Sequence, residues 1–290
     1  MGAGVKTIQA IMNLSESGRL AYGARICDIG VTQLFGAAIK EGVVSMMEYY
    51  ARKAPADARA TVLDASEIDE IRDGVFLGHY LERAGFEYVA LDIFPAPRTI
   101  PFDLNVHSPG PALKGRFDLV MNLGTTEHVM NQLNAFSVIH DLCAVGGVMY
   151  HDLPSEGYFS HGFFRYDALL FRNLAGSNAY EVFDQSFCAG LSAAPPPDLT
   201  KAGVSAEALY DVGVEAKLVK TTDRPFQIPM EQSTSLSLEA VAADAIDGEY
   251  VVKSEGVSVL PAPARAEETA APNVRLFDRA RGAMRRLVGA

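Results

Sequence analysis

Residues 117–154 constrain the fold of this chain most, because they read without interruption as strand, polar turn, helix, Gly-Gly turn and second strand. The first strand, Phe117 to Leu123, is apolar at three consecutive positions, which is typical of a strand covered on both faces. A helix follows the polar turn, and we expect Gly146-Gly147 to end it. The helix has one apolar face, with residues at three- and four-residue spacing: Leu133, Phe136, Ile139 and Leu142. This unit is one half of a nucleotide-type α/β domain.

The same alternation of strands and helices continues on both sides of this unit, which favours a parallel sheet with right-handed crossovers. The predicted strands outside the unit are 24–29, 60–63, 88–93, 100–105, 179–187 and 214–221. The predicted helices are 5–20, 34–53, 68–83 and one that begins near residue 168. The sequence therefore predicts an α/β fold.

Four regions are expected along the chain. Residues 1–23 form a helical lead-in, and residues 24–260 form the main domain, with an insertion at about 54–85. Residues 261–272 are rich in Pro, Ala and Glu, which predicts a disordered linker. Residues 273–290 have the spacing of an amphipathic basic helix, which can dock on the acidic body, on a protein partner or on an anionic membrane surface.

Composition narrows the class of protein. The net charge is −11, and nucleic acid is an unsuitable ligand for such an acidic chain because phosphate contacts need concentrated positive charge. The three cysteines lack CxxC spacing, and Cys27 and Cys143 fall in apolar patterns, so buried thiols in a reducing cytoplasm are expected. No apolar run reaches the ~20 residues that span a bilayer. We expect a soluble cytoplasmic protein.

A polar turn follows the strand Phe117 to Leu123. Ligands of open parallel sheets bind just beyond the carboxyl ends of the strands, so this turn is a candidate site. Its polar and glycine residues, including the one that ends the strand, are Asn122, Gly124, Thr125, Thr126, Glu127 and His128.

The segments Glu127-His128-Val129 and Val145-Gly146-Gly147 give the chain a family resemblance. It resembles the class I S-adenosylmethionine-dependent methyltransferases, in which the fourth strand often ends in Glu-His-Val and the fifth follows a Pro-Gly-Gly or similar turn. Within them it is most similar to a bacterial branch with the pattern GTTEHV-NQ-NAF-IHDL. The resemblance runs from about Arg25 to Phe187. It implies a Rossmann-like, mostly parallel seven-stranded sheet with helices on both faces and an antiparallel hairpin at one edge.

The resemblance also implies S-adenosylmethionine as cofactor. Asp28 and Gly30 stand in the family's first motif, although Val31, Thr32 and Gln33 fill a turn that is usually glycine-rich. Gln33 remains a candidate cofactor contact. A tight strand-to-helix turn without any ligand is the alternative interpretation.

Further cofactor contacts are expected at the next strand ends. Asp92, with Ile93 beside it, can accept hydrogen bonds from the ribose hydroxyls. By the family pattern, Asp103 and Leu104 lie beside the adenine, whereas Asn122 and Gly124 line the methionine side. A solvated strand-end carboxylate for Asp92 and a plain turn residue for Asp103 are the alternatives.

Catalysis by such an enzyme consists mainly of positioning the acceptor and, where needed, removing its proton. Histidine suits that role near neutral pH. The candidates are His128, His161 and the pair His151-Asp152, together with Tyr166. Because side chains alternate along a strand, His151 and Asp152 cannot both point into the crevice.

The acceptor is expected to contact Glu127, Tyr158 and His161. Tyr158 and His161 lie in an aromatic loop after the fifth strand, where rings can stack on a sugar or ring face. No HxxxH or HExxH spacing is present, so no metal is predicted. A divalent-metal site drawn from Glu127, His128 and His151, with Asp152 and His161 as further candidate ligands, is the alternative.

The resemblance implies methyl transfer from S-adenosylmethionine to an oxygen or nitrogen atom of a small molecule, such as a sugar or a secondary-metabolite precursor. A non-catalytic binding or scaffold protein is the first alternative, because the first motif is altered. An NAD(P)-dependent oxidoreductase is a further alternative, disfavoured by the lack of GxGxxG.

Overall fold

Seven strands form the central sheet of the computed structural model, which describes residues 2–55, 63–189 and 211–231. They are β1 (Arg25–Ile29), β2 (Glu87–Asp92), β3 (Thr99–Pro101), β4 (Phe117–Leu123), β5 (Cys143–Glu156), β6 (Glu181–Ala189) and β7 (Val212–Val219). Their order is β3-β2-β1-β4-β5-β7-β6. The first five are parallel, and β7 runs antiparallel to β5 and β6. The expected fold class, including the edge hairpin, is confirmed.

The described residues include six α-helices, which flank the sheet. They are α1 (Val5–Glu16), α2 (Ile39–Lys53), α3 (Ala65–Asp69), α4 (Leu77–Arg83), α5 (Gln132–Leu142) and α6 (Ala168–Asn178). Alternation along β4 separates the faces, because Leu119 and Met121 pack in one core with α1, α2 and α4, whereas Val120 packs in the other with α5 and α6. Both faces are therefore buried, as the apolar run in β4 predicts.

The predicted helix 68–83 is wrong. Gly74 has φ +88°, a conformation that a helix cannot contain, and it separates α3 from α4. The short strand Val75–Phe76 follows it and pairs with Gln33–Leu34, which pairs in turn with Gly2–Ala3. Because Gln33–Leu34 is a strand, α2 begins only at Ile39.

The prediction that Gly146-Gly147 ends a helix is also wrong. Helix α5 ends at Leu142, and β5 begins at Cys143. The two glycines lie inside β5, where the register with β4 shifts, and a Cβ on Gly147 would lie 2.9 Å from the carbonyl oxygen of Phe117. The apolar face of α5 is narrower than expected, because Leu133 is 49% exposed.

Cys27 and Cys143 are buried free thiols, as predicted. No helix among the described residues is long and apolar enough to cross a membrane. The predicted linker 261–272, the helix 273–290 and most of the predicted strand 60–63 lie outside the described residues. Those predictions and the proposed domain boundaries stay predictions.

Candidate functional site

The carboxyl ends of the adjacent parallel strands β1, β2 and β4 lie on one side of the sheet, where open parallel sheets bind ligands in a crevice, and we call this region the crevice. Gly30, with φ +83°, ends β1 and donates its N–H to the carbonyl of Leu91 at 2.7 Å. Gly124, with φ +76°, ends β4 and donates to the carbonyl of Asp152 at 3.0 Å. Both glycines hold positive φ angles, which let the backbone turn tightly beside a ligand.

Asp92 occupies the end of β2 at this crevice. Its two carboxylate oxygens accept the backbone N–H groups of Val31 at 3.0 Å and Phe94 at 2.9 Å. The side chain is partly exposed, and each oxygen retains a further lone pair. Ile93 and Phe94 beside it are 61% and 70% exposed, which places apolar surface next to the carboxylate.

Asp28 lies in the core instead of the crevice. Its carboxylate accepts hydrogen bonds from the N–H and hydroxyl of Thr32, both at 3.0 Å, and from the hydroxyl of Tyr88 at 2.8 Å. Burial raises the pKa of Asp28 to about 7, although these hydrogen bonds oppose the shift. Asp28 therefore shapes the turn after β1, and any effect on a ligand passes through that turn.

Gln33 is also engaged away from the crevice. Its side-chain amide donates to the carbonyl of Gly74 at 3.1 Å within the small sheet. The Gln33 side chain is therefore bonded to Gly74 and is not placed for the predicted direct contact with the cofactor.

Asp103 lies in the loop after β3. Its carboxylate accepts the backbone and side-chain N–H groups of Asn105, which lowers the pKa of Asp103. The side chain of Asn134, in α5, fixes the same loop by donating to the carbonyl of Leu104, whose own side chain is buried. Asp103 is thus a turn residue at the rim of the crevice, partly exposed.

Asn122 and His151 form a buried pair behind the turn. The Asn122 amide nitrogen lies 3.0 Å from the Thr126 hydroxyl and 3.1 Å from Nδ1 of His151. The imidazole packs between the rings of Phe136 and Phe171. Burial lowers the pKa of His151 to about 3, so this ring is neutral.

The predicted catalytic and metal-binding roles of His151 are therefore corrected to a structural one, since its side chain is enclosed by the core. Asp152 points to the opposite face of β5, as alternation predicts, and is paired in register with Glu215. Burial and the charge of Glu215 raise the pKa of Asp152 to about 6. Its own charge in turn raises the pKa of Glu127.

Glu127, His128 and His161 converge beside the carboxyl end of β4, and we call them the Glu-His-His cluster. Glu127 and His128 belong to a 3₁₀ turn, Thr126–His128, directly after β4, whereas His161 comes from the loop after β5. One Glu127 oxygen lies 3.8 Å from Nε2 of His128 and 3.6 Å from Nε2 of His161. The two imidazoles are 45% and 48% exposed, so the cluster opens to solvent.

Glu127 itself is fully buried. Neither of its carboxylate oxygens has a hydrogen-bond partner among the residues that the structure describes. Burial raises the pKa of Glu127 to about 7, and burial together with His161 lowers the pKa of His128. One carboxylate oxygen and two imidazole nitrogens lie within 4.8 Å of one another, which is a possible set of metal ligands.

The loop after β5 is fastened to the turn by backbone contacts. The N–H groups of Phe163 and Phe164 both donate to the carbonyl of Glu127, at 2.8 and 3.2 Å. Gly162 permits this approach, because a Cβ there would lie 2.9 Å from Cγ of Glu127. Tyr158 places its ring 5.5 Å from that of His161, so the predicted acceptor contacts Glu127, Tyr158 and His161 do lie together.

Tyr166 is buried and supports the turn from behind. Its hydroxyl donates to the side-chain oxygen of Gln132 at 2.8 Å. The Gln132 amide then donates to the carbonyls of Thr126 and Val129. Tyr166, predicted as catalytic, is therefore a positioning residue.

Sequence reasoning missed Gln132 and the link between the two halves of the crevice. The hydroxyl of Thr125, after β4, donates to the carbonyl of Ile29 at the end of β1. Spacing along the chain carries no signal for these contacts, since each joins separate segments. The sequence did group His161 with Glu127, as an acceptor contact and as a candidate metal ligand.

Comparison with known proteins gives one family. Residues 48–189 match the family model of a methyltransferase domain. No curated protein sequence matches the chain.

Solved structures show weaker likeness. A Burkholderia thailandensis 1,6-didemethyltoxoflavin-N1-methyltransferase, bound to 1,6-didemethyltoxoflavin and S-adenosylhomocysteine, is 13% identical with a TM-score of 0.39 over 74% of this chain and 78% of that one. A TehB-like S-adenosylmethionine-dependent methyltransferase of Corynebacterium glutamicum is 15% identical with a TM-score of 0.34 over 74% and 96%. The family match over residues 48–189 and the observed sheet order together identify a class I S-adenosylmethionine-dependent methyltransferase-like domain in this chain.

Proposed function

We propose that the protein transfers a methyl group from S-adenosylmethionine to an oxygen or nitrogen atom of a small-molecule acceptor. One observation carries the proposal. In a chain that matches a methyltransferase domain, the Glu-His-His cluster opens to solvent at the end of β4, next to a crevice edged by Gly30 and Asp92.

The crevice residues fit the cofactor. Asp92 offers two carboxylate oxygens with spare acceptor capacity, which suits the paired hydroxyls of a ribose. The exposed side chains of Ile93 and Phe94 suit the apolar faces of an adenine. Gly30 and Gly124 keep side-chain bulk away from the path between the two strand ends.

The turn after β1 differs from the glycine-rich form. Thr32 is fully buried and capped by Asp28, so Val31, Thr32 and Gln33 hold a fixed turn without a second glycine. The ribose and adenine end of the crevice supports the proposal more directly than this turn does.

The cofactor supplies a methyl group on a sulfonium, which an acceptor atom attacks in line. The protein's part is to bind, orient and deprotonate the acceptor. Glu127, His128 and His161 present a carboxylate and two imidazoles to an O–H or N–H group at the mouth of the crevice. Tyr158 offers a ring face beside them, which suits a sugar or another ring.

A calorimetric titration of the full chain with S-adenosylmethionine, S-adenosylhomocysteine and NAD tests the proposal. We expect the two methyltransferase ligands to bind and NAD not to bind. Binding of NAD alone would favour an oxidoreductase, and binding of none of the three would favour a scaffold protein. Either result overturns the proposal.

A further inference from the structure

We propose that Glu127, His128 and His161 together bind one divalent transition-metal cation, such as Zn²⁺. The role of this cation rests on the proposed function, because the cation would act on the methyl acceptor. Its binding can be measured independently of methyl transfer.

The first support is the state of the Glu127 carboxylate. It is fully buried, and its oxygens lack hydrogen-bond partners within the described part of the chain. A buried carboxylate without a partner is costly, and native proteins rarely keep one without an ion or ligand to compensate it. A cation seated against Glu127 removes that cost.

The second support is the distance between the donor atoms. Two ligands of a tetrahedral Zn²⁺, each bound at about 2.1 Å, lie about 3.4 Å apart. The Glu127 oxygen lies 3.6 Å from Nε2 of His161 and 3.8 Å from Nε2 of His128. Small side-chain adjustments bring all three atoms to coordinating distance.

Direct hydrogen bonding does not account for the cluster equally well. Separations of 3.6 and 3.8 Å exceed the hydrogen-bond range, so neither imidazole satisfies the carboxylate. The three donor atoms therefore lie within 4.8 Å of one another without hydrogen bonds from either imidazole to the carboxylate. They are held there by the loop after β5, whose Phe163 and Phe164 amides bond to the Glu127 carbonyl.

The donor types select the class of cation. Two imidazole nitrogens and one carboxylate suit Zn²⁺ and other first-row transition metals, whereas Mg²⁺ and Ca²⁺ prefer oxygen ligands. Three protein ligands leave at least one coordination position open, as in catalytic zinc sites. The exposed imidazoles direct that position toward solvent and the acceptor.

A cation in this place would take over the activation of the acceptor from direct proton removal by the three side chains, because it would lower the pKa of a coordinated acceptor hydroxyl. The hydroxyl proton leaves to water. The oxygen–carbon bond then forms as the sulfur–methyl bond of S-adenosylmethionine breaks, which releases S-adenosylhomocysteine. No further reactant is needed.

The test is a titration of untagged, chelator-treated full-length protein with Zn²⁺, and separately with Mg²⁺, by calorimetry. We expect one Zn²⁺ per chain and much weaker binding of Mg²⁺. His161→Ala and His128→Ala should each weaken Zn²⁺ binding at least about tenfold. His79→Ala is the matched control, because His79 is an exposed histidine of α4 outside the cluster, and it should bind Zn²⁺ like the parent.

Glu127→Gln guards against a loss caused by misfolding. Glutamine removes the buried charge, so this variant should unfold at a higher temperature than the metal-free parent and should not gain stability from Zn²⁺. Absence of stoichiometric Zn²⁺ binding, or binding unchanged in both histidine variants, overturns the inference. If S-adenosylmethionine still binds in that case, the proposed function stands; if Zn²⁺ binds and S-adenosylmethionine does not, the proposed function fails and the cation site stands.

Discussion

A Glu127 carboxylate oxygen lies 3.6 Å from Nε2 of His161, although the first residue follows β4 and the second follows β5. The Glu-His-His cluster is therefore assembled from two loops that pack against each other. A larger side chain at the contact between the two loops should therefore move the cluster residues apart, although those residues themselves are unchanged.

Gly162→Ala should separate the two loops. The added Cβ would lie 2.9 Å from both Cγ and the carbonyl oxygen of Glu127, so the loop after β5 must move and carry His161 away. We expect methyl transfer and Zn²⁺ affinity each to fall about tenfold or more, with S-adenosylmethionine binding retained. Titration calorimetry with both ligands measures this.

Gly110→Ala is the control for that variant. A Cβ at Gly110 meets no atom within 4 Å, so this change should leave both affinities at the parental values. Equal behaviour of the two alanine variants would contradict the assembly of the site from packed loops.

Asp92→Asn should weaken binding of S-adenosylmethionine. The variant keeps the size of the side chain but loses the negative charge and one acceptor oxygen. Hydrogen bonds to a charged group contribute about 1.5 to 3 kcal/mol, which corresponds to about tenfold to a hundredfold in affinity. Calorimetric dissociation constants, with circular dichroism to verify folding, measure the effect.

Asp118→Asn is the matched control. Asp118 also accepts a backbone N–H, that of Arg25. This contact lies at the amino ends of β1 and β4, away from the crevice. Its replacement should not change cofactor affinity. If Asp92→Asn binds the cofactor like the parent, the ribose assignment is wrong.

Tyr166→Phe should destabilise the protein through the turn. Removing the hydroxyl leaves the side-chain oxygen of Gln132 without its donor, at a cost of about 1 to 3 kcal/mol. Because Gln132 holds the carbonyls of Thr126 and Val129, Zn²⁺ affinity should fall as well. Urea unfolding and Zn²⁺ titration report the two effects.

Tyr180→Phe separates stability from positioning. The Tyr180 hydroxyl lies 2.6 Å from Nδ1 of His140 in the same core, so its loss should also lower stability. Zn²⁺ affinity should stay unchanged in this variant. If Tyr166→Phe binds Zn²⁺ with the parental affinity, the Tyr166 hydroxyl does not position the turn, and the side chain contributes by packing alone.

Asp28 should make stability depend on pH. Its folded-state pKa of about 7 lies above the ordinary aspartate value of 3.8, so the folded protein holds this proton more tightly than the unfolded chain does. The stabilising contribution is fully present below about pH 4 and is lost as pH rises to about 7. Each pH unit inside that window costs up to about 1.4 kcal/mol.

Asp28→Asn removes this titration. Asparagine can still accept from Tyr88 and from the N–H of Thr32, while its NH₂ group donates to the Thr32 hydroxyl. The free energy of unfolding of the variant, relative to the parent, should rise between pH 4.5 and 7.5. A difference that stays constant over that range would mean that Asp28 titrates alike in both states.

Much of the fold is predictable because apolar periodicity reports which faces of an element are buried. The bounds of β4 are those expected from its run of apolar residues, and the edge hairpin follows from the family resemblance. The errors arose at glycines. Gly74 interrupts a helical pattern, and Gly146-Gly147 lie in a strand, because a positive φ or a close carbonyl can require glycine in either setting.

The site was predictable only in part. Glu127 and His128 were predictable as residues of the turn after β4, since the end of the strand fixes their place. His151 could not be excluded from the sequence, because its enclosure depends on Phe136 and Phe171 from two helices. The approach of His161 to Glu127 depends equally on loop packing.

The hydrogen bond from the Thr125 hydroxyl to the Ile29 carbonyl joins the β1 end of the crevice to the turn that carries Glu127. A ligand that shifts one end can therefore act on the other end through this bond and through the pairing of β1 with β4. Occupancy of the two ends should then be cooperative. By thermodynamic reciprocity, whatever factor S-adenosylmethionine applies to Zn²⁺ affinity, Zn²⁺ must apply to S-adenosylmethionine affinity.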